Sequence, residues 1–315
     1  MRTIRTVIIF AVLSVFTFAC ETKHNLKPGE EYADLTHGKV WYRIVGGGTG
    51  VPLLLLHGGP GYPSHYLNPL AELAKDRPVI FLDQLGCGRS GSLTDTTLMN
   101  IDSFVVQLEE FRAALGLDEF YLYGHSWGTM LGVDYYLKYP EHIKAMILAS
   151  PCLSAERWTN DANDLIATLP DSIQESIRIH NEQGTYDSPE YQEAVMIFYQ
   201  QYVARKSPWD ANLDSAFSGS NATIYNHMWG PSEFRSTGNL RNYDRTADLN
   251  RINVPVLYVC GEHDEARPAT VQYYQSVTPG SRLAVIPGAA HATMHDNQAE
   301  NNKAISDFLS EVARK

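Results

Sequence analysis

Phe120-Tyr121-Leu122-Tyr123-Gly124-His125-Ser126-Trp127-Gly128 joins an apolar run directly to a G-x-S-x-G pentapeptide. A strand that runs straight into small residues on both sides of a serine predicts a sharp strand-to-helix turn, with the Ser126 hydroxyl lifted above the end of a sheet. Pentapeptides of this kind also occur by chance in turns, so the surrounding sequence has to decide whether Ser126 is a nucleophile.

Working outward, continuous apolar runs at 51–56 and 78–82 precede the elbow, and an amphipathic helical pattern spans Ile101–Leu115. Three further strand-like runs follow it at 144–149, 254–260 and 282–286, and a last helix is expected over 297–312. Strands apolar on both faces and alternating with helices predict an α/β fold, a mostly parallel central sheet flanked by helices. Upstream, alternating segments at 31–35 and 39–45 flank Thr36-His37-Gly38 and read as a β-hairpin. Gly46-Gly47-Gly48-Thr49-Gly50 then reads as a flexible turn.

Between the strands the character changes to helical, aromatic and polar, with Tyr186, Tyr191, Phe198, Tyr199, Tyr202, Trp209, Tyr225 and Trp229. Such an insertion is expected to form a helical cap over the C-terminal strand ends, where open α/β sheets bind ligands. The expected organisation is a signal peptide at 1–19, a polar leader at 20–29, the first part of the core at 30–151, the cap at 152–250 and the second part of the core at 251–315.

The chain has 315 residues, 44% of them hydrophobic and 19% charged, which is enough for a substantial core. A net charge of −11 leaves no basic surface for phosphate backbones and argues against a nucleic-acid partner. Arg2 and Arg5 precede an apolar and small-residue run from Thr6 to Ala19. That run is shorter than the ~20 residues a bilayer-spanning helix requires, so export through a signal peptide is the expectation. Ala19-Cys20 resembles the cleavage point of a bacterial lipoprotein, with Cys20 as the lipid-bearing first residue, although Thr17 stands where such signals usually carry an aliphatic one. A periplasmic or cell-envelope location follows. Cys87, Cys152 and Cys260 then remain as an odd set with no metal or redox spacing, and no obligatory disulfide is expected.

A serine needs a base within hydrogen-bond reach and an acid to orient that base. In elbow folds the acid follows the nucleophile and the histidine comes last, each on a loop after a late strand. Asp264 follows the run ending at Cys260, and His291 follows the run ending at Ile286. His295 rivals His291, and Asp244 and Asp248 rival Asp264, but both of these aspartates precede the strand. Backbone N–H groups of Gly59, in His57-Gly58-Gly59-Pro60-Gly61, and of Trp127 are the candidate oxyanion donors. No metal or organic cofactor is implied, because no His and carboxylate cluster has metal spacing.

Together, the H-G-G-P-G block at 57–61, Asp83-Gln84-Leu85-Gly86-Cys87-Gly88-Arg89-Ser90, the elbow and Gly261-Glu262-His263-Asp264 resemble the proline iminopeptidase family of α/β-hydrolases. Leu85 stands where that family often carries Arg. The segment Met228-Trp229-Gly230-Pro231-Ser232-Glu233-Phe234 looks like the cap segment with which prolyl and tricorn-interacting aminopeptidases place a glutamate over the active site. In those enzymes a second glutamate follows the catalytic aspartate, a position held here by Glu265. The resemblance implies an α/β-hydrolase fold and release of an N-terminal residue, preferably proline, from short peptides with a free N-terminus. Glu233 and Glu265 would bind the amine. The rival readings are an esterase or amidase of the same fold and an inactive surface binding module. Cys87, in the loop after Asp83, is expected either near the pocket or packed in the core.

Overall fold

The computed structural model describes residues 26–314; the expected signal peptide and Cys20 lie outside the described residues. Eight strands make one sheet: β1 (Gly29–Leu35), β2 (Gly38–Val45), β3 (Leu53–Leu56), β4 (Val79–Leu82), β5 (Phe120–His125), β6 (Ile143–Ala149), β7 (Val256–Gly261) and β8 (Arg282–Ile286). Across the sheet their order is β1-β2-β4-β3-β5-β6-β7-β8. The hairpin β1–β2 attaches by antiparallel pairing of β2 to β4, and every other pairing is parallel.

Side chains alternate across a strand, so the apolar runs feed two layers at once. Leu54, Leu56, Ile80 and Leu122 enter one layer with Phe104, Leu108 and Phe111 of helix α1 (Ile101–Leu115) and with Trp127 and Met130 of α2 (Trp127–Lys138). Leu53, Leu55, Val79 and Phe81 enter the opposite layer. All four leucines of β3 are wholly buried, each contributing roughly 1.5–3 kcal/mol. The boundaries of α1 follow from its ends: the Asn100 side chain accepts from the Ser103 N–H, and Gly116 closes the helix in a left-handed conformation, φ 64°.

The insertion between β6 and β7 folds as α3 (Ala155–Ile166), α4 (Asp171–Gln183), α5 (Pro189–Tyr202), α6 (Ala211–Ser218) and α7 (Ala222–Met228). Ser154, Ser188, Asp210 and Asn221 cap the N-termini of α3, α5, α6 and α7. Ile177, Tyr191, Phe198 and Phe234 give this layer a core of its own. Its link to the sheet runs through the end of α5. The Tyr202 carbonyl accepts from the N–H groups of both Glu265 and His291, and the Val203 carbonyl from that of Ala292. Helices α8 (Pro268–Val277), α9 (Thr293–Asp296) and α10 (Gln298–Val312) complete the chain, Ile305, Phe308 and Leu309 of α10 entering the Leu53 layer. Unforeseen from the sequence is a 3-10 segment at Ser64–Leu73 that holds Pro69 and buries Leu67 and Leu70 in that same layer.

One buried ion pair anchors the end of β4. Asp83 accepts from the backbone and hydroxyl of Ser64 and pairs with Arg89, Nε to Oδ2 2.7 Å, while the guanidinium lies 3.2 Å over the Trp41 ring. Burial pushes the Asp83 pKa up, but the hydrogen bonds and charge of Arg89 outweigh it and hold the group at about 2. A carboxylate whose folded pKa lies below its unfolded value stabilises the fold above that unfolded value, ~4, and loses the contribution as pH falls toward the folded one. Arg89→Met should therefore cost about 3–5 kcal/mol at neutral pH, since it strands a buried charge. In denaturant titrations the gap from wild type should narrow by about 2–3 kcal/mol as pH falls from about 4 to about 2, the most that one proton contributes over two pH units; a gap independent of pH would refute this account of the pair.

Candidate active site

At the end of β5 the chain reverses through Ser126, whose φ of 53° and ψ of −120° are unusual for a residue with a side chain. The two glycines of the motif are steric requirements. A Cβ on Gly124 would lie 2.3 Å from the Gly128 carbonyl, and a Cβ on Gly128 would lie 2.3 Å from the Leu56 carbonyl. Helix α2 can start directly against β5 and β3 only without those atoms. Ser126 thus stands at the N-terminus of a 12-residue helix, where the dipole favours developing negative charge.

Asp264 lies in the loop after β7, 1% exposed, and its oxygens accept from the N–H groups of Gly261 (3.1 Å) and Ala266 (2.8 Å). The Ser150 hydroxyl is 2.6 Å from Oδ2. His291, in the loop after β8, puts Nδ1 2.8 Å from Asp264 Oδ1. Because a carboxylate only accepts, Nδ1 carries the proton and Nε2 is left to receive one. Ser126 and His291 line the same pocket.

The rivals go elsewhere. His295 lies 3.0 Å from Asp210 and 2.7 Å from the Tyr66 carbonyl. Asp244 accepts from Thr246, and Asp248 pairs with Arg251.

The H-G-G-P-G loop follows β3. Its Gly58 N–H is occupied by the Tyr66 hydroxyl at 2.6 Å. Gly59 and Trp127 both border Ser126 in a narrow recess, and the Trp127 amide is in the first helical turn, where no intrahelical acceptor exists. Gln84 holds the two sides together: its backbone N–H donates to His57 Nε2 (2.9 Å), and its side-chain Oε1 accepts from the Trp127 indole (2.9 Å). The Asp83–Ser90 block therefore supports the floor of the site from below.

Two spaces meet at Ser126. The recess is walled by Trp127, Met130, Cys152, Trp158, Trp229 and Glu233. Cys152, and not Cys87, borders it; Cys87 is buried with its thiol 3.9 Å from the Leu85 carbonyl. The three described cysteines are free and buried. The second space lies between the strand ends and the cap and is bordered by Tyr62, Tyr199, Leu213, Phe217 and Tyr225 together with Glu233 and Glu265.

Glu233 and Glu265 thus share one chamber, with no lysine or arginine among the residues that line it. The Tyr225 hydroxyl donates to Glu233 at 2.7 Å. Glu265 is 4% exposed; Oε1 is 3.7 Å from His291 Nδ1, and Oε2 has no partner. Burial raises the pKa of both. Glu265 is raised well above the ordinary carboxylate range, with the charges of Glu233 and Asp264 adding to the effect of burial. An unpaired buried carboxylate costs stability, and two lining one chamber make it electronegative. Sequence reasoning missed Cys152, Trp158 and Tyr225 around this site, because each reaches it by tertiary packing and carries no local signature.

Residues 51–298 match the family model described as alpha/beta hydrolase fold. The chain is 45% identical to the proline iminopeptidase of Heyndrickxia coagulans over 90% of its own length and 99% of that protein. Among solved structures, VinJ superposes with a TM-score of 0.87 at 30% identity, covering 90% of this chain and 99% of that one. The proline iminopeptidase of Mycobacterium smegmatis does so at 0.84 and 30%, covering 91% and 99%. With an elbow serine beside a paired His and Asp, and with this likeness running along nearly the whole chain, the protein belongs to the proline iminopeptidase family of α/β hydrolases.

Proposed function

We propose that this protein is a serine aminopeptidase that releases the N-terminal residue, preferentially proline, from short peptides with a free N-terminus. The observation that carries the reading is the pair of carboxylates, Glu233 and Glu265, enclosed beside Ser126 without a cation. A substrate's α-ammonium lies a few ångströms from its scissile carbonyl, so a carboxylate pair at this place binds the chain end and rejects blocked peptides. An esterase reading leaves both carboxylates without a use.

Ser126 Oγ attacks the carbonyl carbon while His291 Nε2 takes its proton, with Asp264 holding the imidazole in the required tautomer. The N–H groups of Gly59 and Trp127 receive the oxyanion. His291 then protonates the leaving amine, the acyl-enzyme forms, and water activated by His291 releases the free amino acid and restores Ser126. The indoles of Trp158 and Trp229 and the carboxylate of Glu233 line the recess beside Ser126, apolar faces next to an acid, which supports a terminal proline as the residue bound there.

Initial rates on arylamides test this directly. Prolyl arylamide should be cleaved fastest, phenylalanyl arylamide poorly and N-acetyl-prolyl arylamide not at all, with Ser126→Ala reduced to background. Equal turnover of free and acetylated substrates would overturn the proposal. Glu233→Gln and Glu265→Gln should each lower kcat/KM on prolyl arylamide by roughly 10–10²-fold, the range expected for a charge-assisted hydrogen bond, while turnover of a simple acyl ester changes little. Equal losses on both substrate types would remove the amine-binding role.

The same carboxylates make a stability prediction of opposite sign. Because the folded pKa of Glu265 is raised, folding is penalised increasingly as pH rises above the unfolded value. Glu265→Gln should therefore increase Tm at pH 7–8 while impairing amine substrates, a trade of stability for function. A lowered Tm would show that the carboxylate is structurally required.

We further propose that residues 1–19 direct export and that Cys20 becomes lipid-modified, holding the enzyme at the cell envelope. The support is Arg2 and Arg5 ahead of the apolar run and the Ala19-Cys20 junction. Expressed in a bacterial host with an alkyne-labelled fatty acid, the full chain should take up label and sediment with membranes, and Cys20→Ser should do neither. Label on both proteins, or on neither, would refute lipidation at Cys20.

A further inference from the structure

We infer that Tyr66 and His125 form a positioning relay that sets the oxyanion loop and the histidine loop in register with Ser126. The inference rests on the catalytic roles proposed above for Gly59 and His291.

The relay is a continuous chain of hydrogen bonds. The Gly58 N–H lies 2.6 Å from the Tyr66 hydroxyl, that hydroxyl lies 2.9 Å from His125 Nδ1, and His125 Nε2 lies 3.0 Å from the His291 carbonyl. Its two ends fix its polarity. A backbone N–H only donates and a carbonyl only accepts, so the Tyr66 O–H donates to Nδ1, and the His125 proton sits on Nε2 and points at His291. No other arrangement satisfies all four groups. His125 is buried at 3% exposure, and burial followed by the nearby His291 pushes its pKa well down, which keeps it in the neutral form the chain requires.

Three loops meet here. Gly58 immediately precedes Gly59, His125 immediately precedes Ser126, and His291 carries the base. Packing is tight as well: a Cβ on Gly58 would lie 3.0 Å from the Tyr66 hydroxyl and 3.4 Å from His125 Nδ1, so a side chain there would push the relay by a few tenths of an ångström. The imidazoles of His125 and His291 lie edge to face with centroids 4.6 Å apart.

The relay also bears on Asp264. The Ser150 hydroxyl is 2.6 Å from Asp264 Oδ2 and 2.9 Å from the same His291 carbonyl, and it has one proton to give. With His125 already donating to that carbonyl, Ser150 is free to donate to Asp264. Tyr66 and His125 touch no reacting atom in this scheme; they act through Gly59, His291 and Ser150.

The test is a KM-against-kcat comparison on prolyl arylamide with Tyr66→Phe, His125→Leu, His125→Gln and the Tyr66→Phe/His125→Leu double variant, folding being checked by thermal melting. Misplacement of a reacting group by about 1 Å can cost ~10²-fold. Tyr66→Phe and His125→Leu should each lower kcat about 10–10²-fold with KM within about twofold. The double variant should lose no more than the worse single one, because both break one chain. His125→Gln, whose amide can still donate to the His291 carbonyl, should recover part of the loss. A folded Tyr66→Phe protein with wild-type kcat, a loss confined to KM, or additive losses in the double variant would overturn the relay. Failure of Ser126→Ala to abolish turnover would instead overturn the catalytic assignment beneath it. If His125→Leu does not fold, Tyr66→Phe and His125→Gln decide the question.

Discussion

The close approach of α2 to β5 and β3 is the constraint on which the site depends. Ser126 is held at a backbone conformation that residues with side chains seldom adopt, and it is held there because Gly124 and Gly128 let main chain pass where a methyl group would not fit. Adding either Cβ would displace the helix, and with it the serine, the Trp127 amide and the helix dipole together. The Gln84 bridges to His57 and to the Trp127 indole extend that geometry to the H-G-G-P-G loop. Ser126 and the H-G-G-P-G loop are therefore built as one unit, supported from beneath by the Asp83–Arg89 pair.

Enclosed carboxylates are used here in three physically different ways. Asp83 is paired with a guanidinium and braces the end of a strand. Asp264 is fully satisfied by amides, a hydroxyl and an imidazole, which suits a group that must orient a base without moving. Glu265 leaves one oxygen unpartnered and faces Glu233 across a chamber with no lysine or arginine among the described residues that line it. Only the last arrangement is costly in the empty protein, and the cost makes sense if a cation arrives with the substrate.

The cap is more than a lid resting on the sheet. Main-chain bonds from the end of α5 reach the loops that carry Glu265 and His291, so the helical layer helps set the depth of the site. Cap residues Tyr225 and Glu233 meet core residues Ser126 and His291 in one space. Substrate selection and chemistry thus share walls, and a change in cap packing alters both.

The runs at 51–56, 78–82 and 254–260 were readable as strands because burial on both faces demands unbroken apolar sequence, and the structure trimmed their ends where proline or a turn interrupts pairing; the edge strand Arg282–Ile286 kept its bounds although only Ile286 is buried. Ile101–Leu115 was readable because the Asn100 cap and Gly116 mark its limits. Ser126, Asp264, His291 and Gly59 were named from local motifs, since sharp turns and strand-end loops leave small-residue signatures, whereas Glu233 and Glu265 were named from the resemblance to the proline iminopeptidase family. By itself, then, the sequence determined the order of strands and helices and which residue types stand at the strand ends, because those depend on neighbours along the chain. Tertiary structure alone decided that Cys152 and not Cys87 borders the recess, that His295 turns away to Asp210, and that Tyr66 and His125 join three loops. Those facts rest on contacts between residues as much as 166 positions apart, set by how strand ends converge, and no local pattern encodes them.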